Sequence, residues 1–368
     1  MILGILDRYI GKSILSTSLL VLLTLVSLAG IFSFISELDD VGKGSYSVTK
    51  AMQYVFLTLP GKAYLLFAPS VLLGSLLGLG ALATNSELTV MRAAGVANSR
   101  IIRAVLITGF GLMILIAILG ETVMPRTEQI AEELRLTALE KRLSVKGRNG
   151  LWVKSGATYV NISTVMPDFT LLDIDIAEFE GFKMVRSIHA ARAIQLENDW
   201  QLEEIEVSKI LPDSIETSFI ERENWKELAK SDKNGGVVPN LVSADVLKSL
   251  STSPDALSAQ NLYDQAQYLK ANQLDSRAIE LAFWVKIASP FATIVMLMLS
   301  LPFVFSSQRA GGAGQKIFIG IMLGIVYVLV NKLLTQLALA NGLSPALSAF
   351  MPLIFFFLVA AVGIQRSA

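Results

Sequence analysis

Four stretches of this chain carry no charged side chain: Ser13 to Ser36, Ala63 to Ser86, Ala104 to Gly120, and Ile287 to Gln308. Each approaches or exceeds the ~20 apolar residues a helix needs to cross a bilayer, and a soluble core has no use for so many. The shortest, Ala104 to Gly120, covers roughly 26 Å at about 1.5 Å per residue, so its flanks complete a ~30 Å crossing. Beyond Lys316 the chain is apolar almost to its end, with Lys332 the one charge before Arg366. Asn341-Gly342-Leu343-Ser344-Pro345 supplies a turn that divides this stretch, giving six spans.

Charged residues make up only 17% of the chain and crowd into its middle third, which therefore faces water. A net charge of zero gives no case for nucleic acid as a partner. With no cysteine, disulfides, thiolate metal sites and cysteine nucleophiles are excluded. Arg8 and Lys12 precede the first apolar run, and Ser27-Leu28-Ala29 is similar to a cleavage site. Apolar residues continue through Ile35, so the segment is expected to stay as an anchor. Arg8, Lys12, Arg92, Arg100, Arg103, Arg309, Lys316 and Arg366 fall on one side of the membrane, against Lys43 and Lys50 in the short loops opposite. The positive-inside bias then puts both termini in the cytoplasm.

The expected organisation is a transmembrane half over residues 1–124, with spans at about 13–36, 60–84 and 101–123 and a cytoplasmic helical segment at 85–98. An extracytoplasmic domain follows over 125–276, then a second transmembrane half over 277–368, with spans at about 281–304, 316–339 and 346–365. After Pro125, Ile130, Leu134 and Ala138 recur at helical spacing, so the third span is expected to continue outward as an amphipathic helix. From about residue 150 the period becomes two. Leu172, Ile174 and Ile176 alternate with Asp173 and Asp175, while Ile188, Ala190, Ile194 and Leu196 share one parity. Glu180-Gly181 and Glu197-Asn198-Asp199 fit tight turns, and the lack of crossover helices points to a sandwich or jelly roll. Lys230 to Asn240 reads as an exposed loop. Leu262, Ala266 and Leu269 make an apolar stripe on a short helix leading back to the membrane.

Between the second and third spans, Asn85-Ser86-Glu87-Leu88-Thr89-Val90-Met91-Arg92-Ala93-Ala94-Gly95 reads as a short helix. Ser86 is its expected N-cap, Glu87 lies in the first turn, Leu88, Val90 and Met91 are apolar, and Gly95 is its stop. The residues alone fit two roles, a helix lying in the headgroup layer or one docking on a cytoplasmic motor.

This segment resembles the coupling segment of the YjgP/YjgQ-type permeases of lipopolysaccharide export, and Leu6-Asp7-Arg8-Tyr9-Ile10-Gly11-Lys12 resembles the amino-terminal signature of the family's LptG-type branch. Gly44-Ser45-Tyr46 and Gly74-Ser75-Leu76-Leu77-Gly78-Leu79-Gly80 add to the likeness, which covers the whole chain in span order. The resemblance implies a membrane α-helical fold of six transmembrane helices with an extracytoplasmic β-jelly-roll domain inserted between spans 3 and 4. It implies a bacterial inner-membrane permease subunit of an ATP-driven exporter that takes lipopolysaccharide from the outer leaflet of that membrane and passes it to a periplasmic bridge toward the outer membrane, with the paired LptF-type subunit, which shares this layout, as the alternative to the LptG-type one. The implied partners are an LptF-type permease, an LptB-type ATPase dimer, LptC, and LptA through the jelly roll. ATP and Mg would be used by the ATPase partner, with no cofactor on this chain. Glu87, Leu88, Met91 and Arg92 would contact the ATPase. Some relatives carry lysines at the outer end of the first span, where this chain has Ser33, Glu37, Asp39 and Asp40. Such a cluster would repel lipid phosphates unless bridged by divalent cations.

Lys332 falls about 24 Å along a helix from Lys316, near the outer headgroups, and Lys62 and Lys286 lie at a similar level. Each alone fits snorkelling to the interface. Together they fit the cations that a bis-phosphorylated glycolipid would need, and they are the candidate lipid A phosphate ligands. Glu121 is expected to pair with a base such as Arg126. Ala310-Gly311-Gly312-Ala313-Gly314-Gln315-Lys316 lacks the spacing of a phosphate loop, and the lone His189 is expected in a structural or surface role rather than on a metal. Two other classes compete. A gradient-driven transporter would show acidic relays inside its spans, and a membrane-anchored sensor would need only two or three spans.

Overall fold

The computed structural model describes residues 4–139, 151–155, 158–165, 170–181, 183–196, 199–211, 214–230, 254–271, 275–306 and 313–367. Helix α1 (Ile5–Leu38) starts where the Gly4 N–H donates to the Asp7 carboxylate at 3.0 Å, which satisfies an orphan donor of the first turn. Helix α2 (Val48–Thr84) starts at Ser47, whose hydroxyl accepts from the Lys50 N–H at 3.4 Å. Pro60 and Pro69 lie inside α2, as membrane-spanning helices tolerate.

Small residues let these two helices meet backbone to backbone. The Thr17 hydroxyl on α1 donates across to the Gly74 carbonyl at 2.7 Å, and Gly74 and Gly78 leave room for Ser18 and Thr17. Where lipid replaces water, such close packing takes over the work of the hydrophobic effect. The short α3 (Glu87–Ala93) leads to α4 (Asn98–Ile118), which runs through one wide turn of π type over Leu119–Val123 into α5 (Met124–Leu139). The wide turn falls at Gly120, where the Tyr64 ring fills the place a side chain would take, with its Cδ2 at 2.8 Å from that position.

After the sheet and a short helix, α6 (Trp225–Lys230), helix α7 (Ala259–Ala271) returns the chain to α8 (Arg277–Ser306). Helices α9 (Ala313–Asn341) and α10 (Pro345–Ser367) follow. Among the described residues, six helices are long and apolar enough to cross a membrane. Leu72, Leu76 and Leu79 of α2, Ile101 and Val105 of α4, and Met296 and Leu297 of α8 are buried in one core shared by the bundle. Between the third and fourth of these helices stands a β domain, so the fold is a membrane helical protein with an inserted sheet.

The sheet holds six antiparallel strands in sequential order: β1 (Leu151–Ser155), β2 (Thr158–Val165), β3 (Leu171–Glu180), β4 (Lys183–Leu196), β5 (Asp199–Ile210) and β6 (Ile215–Asn224). Each described strand pairs with the next, as short turns dictate, so the antiparallel expectation holds. A Greek-key crossing of the kind a jelly roll can carry is not seen among the described residues. Gly181, at φ +63, makes the β3–β4 turn, whereas residues 197 and 198 of the second expected turn lie outside the described residues. Ile162, Ile174, Ile188, Leu202 and Ile205 form the domain core, on which Trp225 of α6 and Tyr268 of α7 pack.

Two details depart from the expected pattern. Ile188 and Ala190 point inward, but farther along β4 Ala193 is buried while Leu196 is exposed, so the parity changes near Arg192. The same change occurs in β3, at Asp173, and in β5, at Glu204, both at positive φ (51° and 52°) and on one line across the sheet. A left-handed residue rotates the strand, and every inward position beyond it shifts by one. On α5, Ala138 is buried and Leu134 packs against it as expected, but Ile130 is exposed while Ala131 and Leu139 are buried. The packed face is defined by the Gly44–Tyr46 loop, where the Ser45 N–H donates to the Ala138 carbonyl at 2.8 Å.

Candidate functional site

The short helix α3 hangs beneath the bundle at the junction of α2 and α4. Its entry differs from expectation: Ser86 takes a left-handed conformation (φ 60) and its hydroxyl caps nothing. The exit is as expected, and is a full Schellman motif. The Gly95 N–H, at φ +87, donates to the Arg92 carbonyl at 2.9 Å, and the Val96 N–H donates to the Met91 carbonyl at 3.0 Å. Only a residue without Cβ adopts this turn cheaply.

The four candidate coupling residues divide by face. Leu88 is 2% exposed and sits in the bundle core, and Met91 packs beside it, so these two anchor the helix. Val90 is 65% exposed and offers an apolar surface. Glu87 accepts a hydrogen bond from the Tyr9 hydroxyl of α1 at 2.7 Å. The Arg92 guanidinium lies 4.9 Å over the Phe305 ring of α8, with Nε and Nη2 buried and without hydrogen-bond partners among the described residues. Sequence reasoning found Glu87 and Arg92 but missed Tyr9 and Phe305, because no local spacing links positions so far apart along the chain.

The three lysines do not share one setting. Lys62 on α2 donates to the Ser33 hydroxyl of α1 at 2.6 Å. Lys286 on α8 is only 9% exposed, lies 5.0 Å over the Tyr64 ring and reaches Met124 Sδ at 3.6 Å. Glu128 of α5 interacts electrostatically with both. Lys332 stands apart, exposed on α9. Thus two of the three share a carboxylate inside the bundle, and the third faces outward.

Two acidic features are corrected. Glu121 does not serve as a partner of Arg126. Its carboxylate accepts from the Ala259 N–H at 2.9 Å and the Gln260 N–H at 3.4 Å, capping the first turn of α7. Two of the three carboxylates at the outer end of α1, Glu37 and Asp40, are paired, and Asp39 is exposed. Arg135 of α5 meets Glu37 at 3.0 Å and Asp40 at 2.9 Å, Lys43 meets Asp40 at 2.6 Å, and the Tyr46 hydroxyl donates to Glu37 at 2.9 Å. Burial and the adjacent Glu37 push the Tyr46 phenol pKa well up, so it stays a donor. His189 is exposed and lies 2.7 Å from Asp175 across the β3–β4 pair, as a surface contact.

A family model described as lipopolysaccharide export system permease LptF/LptG matches residues 8–366. The chain belongs to this family. It is 32% identical over 368 residues to the lipopolysaccharide export system permease protein LptG of Escherichia coli K12, with 99% of each chain covered. It is 35% identical over 354 residues to the LptG protein of Haemophilus influenzae, with 95% of each covered. These relatives carry the LptG name, the branch that the amino-terminal segment resembles. Membership in the LptF/LptG family makes the chain a permease, a transport component rather than an enzyme, and with its six apolar helices a multi-pass inner-membrane protein. The gradient-driven transporter and sensor readings are set aside.

Proposed function

We propose that this chain is the LptG-type half of an ATP-driven exporter. It would pair with an LptF-type permease, draw lipopolysaccharide from the outer leaflet of the inner membrane, and pass it toward LptC and LptA through the β domain. Two LptB-type subunits bind and hydrolyse ATP with Mg, and both termini lie on their side, with the sheet in the periplasm. The observation that carries this reading is α3, held to the bundle by Leu88 and Met91 while Val90 and one edge of Glu87 stay available to a partner. The excess of basic residues on the α3 side supports the orientation.

The test is affinity purification of the tagged chain from its native membrane in mild detergent, with mass spectrometry of proteins and lipids. An ATPase subunit, a second six-span permease and lipopolysaccharide are expected to co-purify, and Glu87→Ala is expected to lower ATPase recovery at least about tenfold. Recovery of the chain with bulk phospholipid alone would refute the exporter assembly.

Lys62 and Lys332 are proposed to meet lipid A phosphates directly, and Lys286 to contribute once the bundle opens around Tyr64. Replacing all three by Gln is expected to reduce photocrosslinked lipopolysaccharide about fivefold or more, with Lys62 and Lys332 giving most of the loss. Unchanged lipid occupancy in the triple variant would rule out the assignment.

A further inference from the structure

We propose that Tyr9 is a positioning residue that ties α3 to the first span through Glu87, so that a displacement of α3 is passed to α1. This rests on the reading of α3 as the element that docks the ATPase. The link is a side-chain hydrogen bond between elements far apart in sequence. The Tyr9 hydroxyl donates to Glu87 Oε2 at 2.7 Å. Both partners are held from behind. Ile10 and Ile14 are fully buried and fix the rotation of α1, while the buried Leu88 and the Schellman turn at Gly95 fix α3.

Tyr9 itself is about half exposed, so burial does not explain its aromatic ring at this position. A carboxylate accepts several hydrogen bonds, and with Oε2 engaged by Tyr9, Glu87 keeps Oε1 for a donor from outside. One side chain can therefore hold the docked partner and α1 at the same time. At its other end α3 is joined to α8 by Arg92 over Phe305. The seven-residue helix thus bridges α1 and α8, and removing the Tyr9 hydroxyl deletes its hydrogen bond to α1.

The experiment uses the whole complex, co-expressed and reconstituted in liposomes, with Tyr9→Phe, which removes one oxygen. The complex is expected to assemble in wild-type yield and to hydrolyse ATP within about twofold of wild type, while lipopolysaccharide delivered per ATP falls about three- to tenfold. Spin-label distances from α1 to α10 and from α3 to α10, with and without trapped nucleotide, give the second readout. In the wild type both change together. In Tyr9→Phe the α3 distance changes and the α1 distance does not. A wild-type transport ratio and an unaltered α1 displacement in Tyr9→Phe would overturn the inference while leaving α3 docking intact. Retention of the ATPase by Glu87→Ala would instead overturn the docking reading, and this inference with it.

Discussion

Gly74→Val is expected to leave almost no folded protein in the membrane. A Cβ at residue 74 would lie 2.5 Å from the backbone nitrogen of Ser18 on α1, closer than real Cβ contacts come, and backbone cannot rotate out of the way as a side chain end could. The helices would have to separate. That separation breaks the Thr17 hydroxyl bond to the Gly74 carbonyl and lifts α1 off the α2 face that carries Gly78, where a Cβ would lie 2.7 Å from Thr17 Oγ1. One excess methylene in a packed core costs about 1–3 kcal/mol. Valine adds three carbons against an immovable neighbour, so a loss of at least about 4 kcal/mol is expected, a large part of the 5–15 kcal/mol that holds a typical domain folded. Gly111→Val on α4 is the control, because nothing lies within 4 Å of its would-be Cβ. Membrane yield and detergent melting temperature should fall sharply for Gly74→Val and barely for Gly111→Val; equal behaviour would refute this account of the α1–α2 contact.

Gly74-Ser75-Leu76-Leu77-Gly78-Leu79-Gly80 entered the sequence reading only as part of the family likeness, so the contact it makes with α1 was not legible, whereas the spans themselves were, because the bilayer imposes a length and a polarity on them. The strands were legible through their period of two, up to the point where Asp173 and Glu204 enter the left-handed region and the parity changes. Nothing in a charged residue's immediate neighbours announces a positive φ, so Ile194 and Leu196 were assigned to the core face while Ala193 holds it. Charge pairing was the least legible of all. Glu121 and Arg126 are five positions apart, yet Glu121 caps α7 from 138 residues away, because a helix start there presents two N–H groups and Arg126 does not reach it. Likewise Glu87, Leu88, Met91 and Arg92 could be picked out as a short helix, but their division into anchors and exposed edge depends on α1 and α8.

The acidic end of α1 leads to the second large effect: Arg135→Ala should destabilise the protein by about 2–4 kcal/mol. Glu37 is 7% exposed, and in the wild type it is held by Arg135 at 3.0 Å and the Tyr46 hydroxyl at 2.9 Å. Removing the guanidinium leaves one neutral donor for a buried carboxylate, and it releases Asp40 as well. Breaking a fully buried pair costs about 3–5 kcal/mol; the Arg135 side chain is 29% exposed, so water returns part of that. The arginine also stacks 5.3 Å over the Tyr54 ring, a contact the alanine loses too. If charge is the cause, adding Glu37→Gln to Arg135→Ala should recover more than half of the lost stability, since an amide tolerates burial beside Tyr46 better than an unpaired anion. If the double variant melts as low as Arg135→Ala alone, packing over Tyr54 is the larger contribution. The same arithmetic bears on transport. Glu37 and Asp40 contribute two negative charges and Arg135 and Lys43 two positive ones, so beside Lys62 an incoming phosphate meets the exposed Asp39 charge alone in excess rather than a bare acidic wall. Arg135→Ala would expose that wall, and lipopolysaccharide occupancy should fall with it even in the fraction of protein that stays folded.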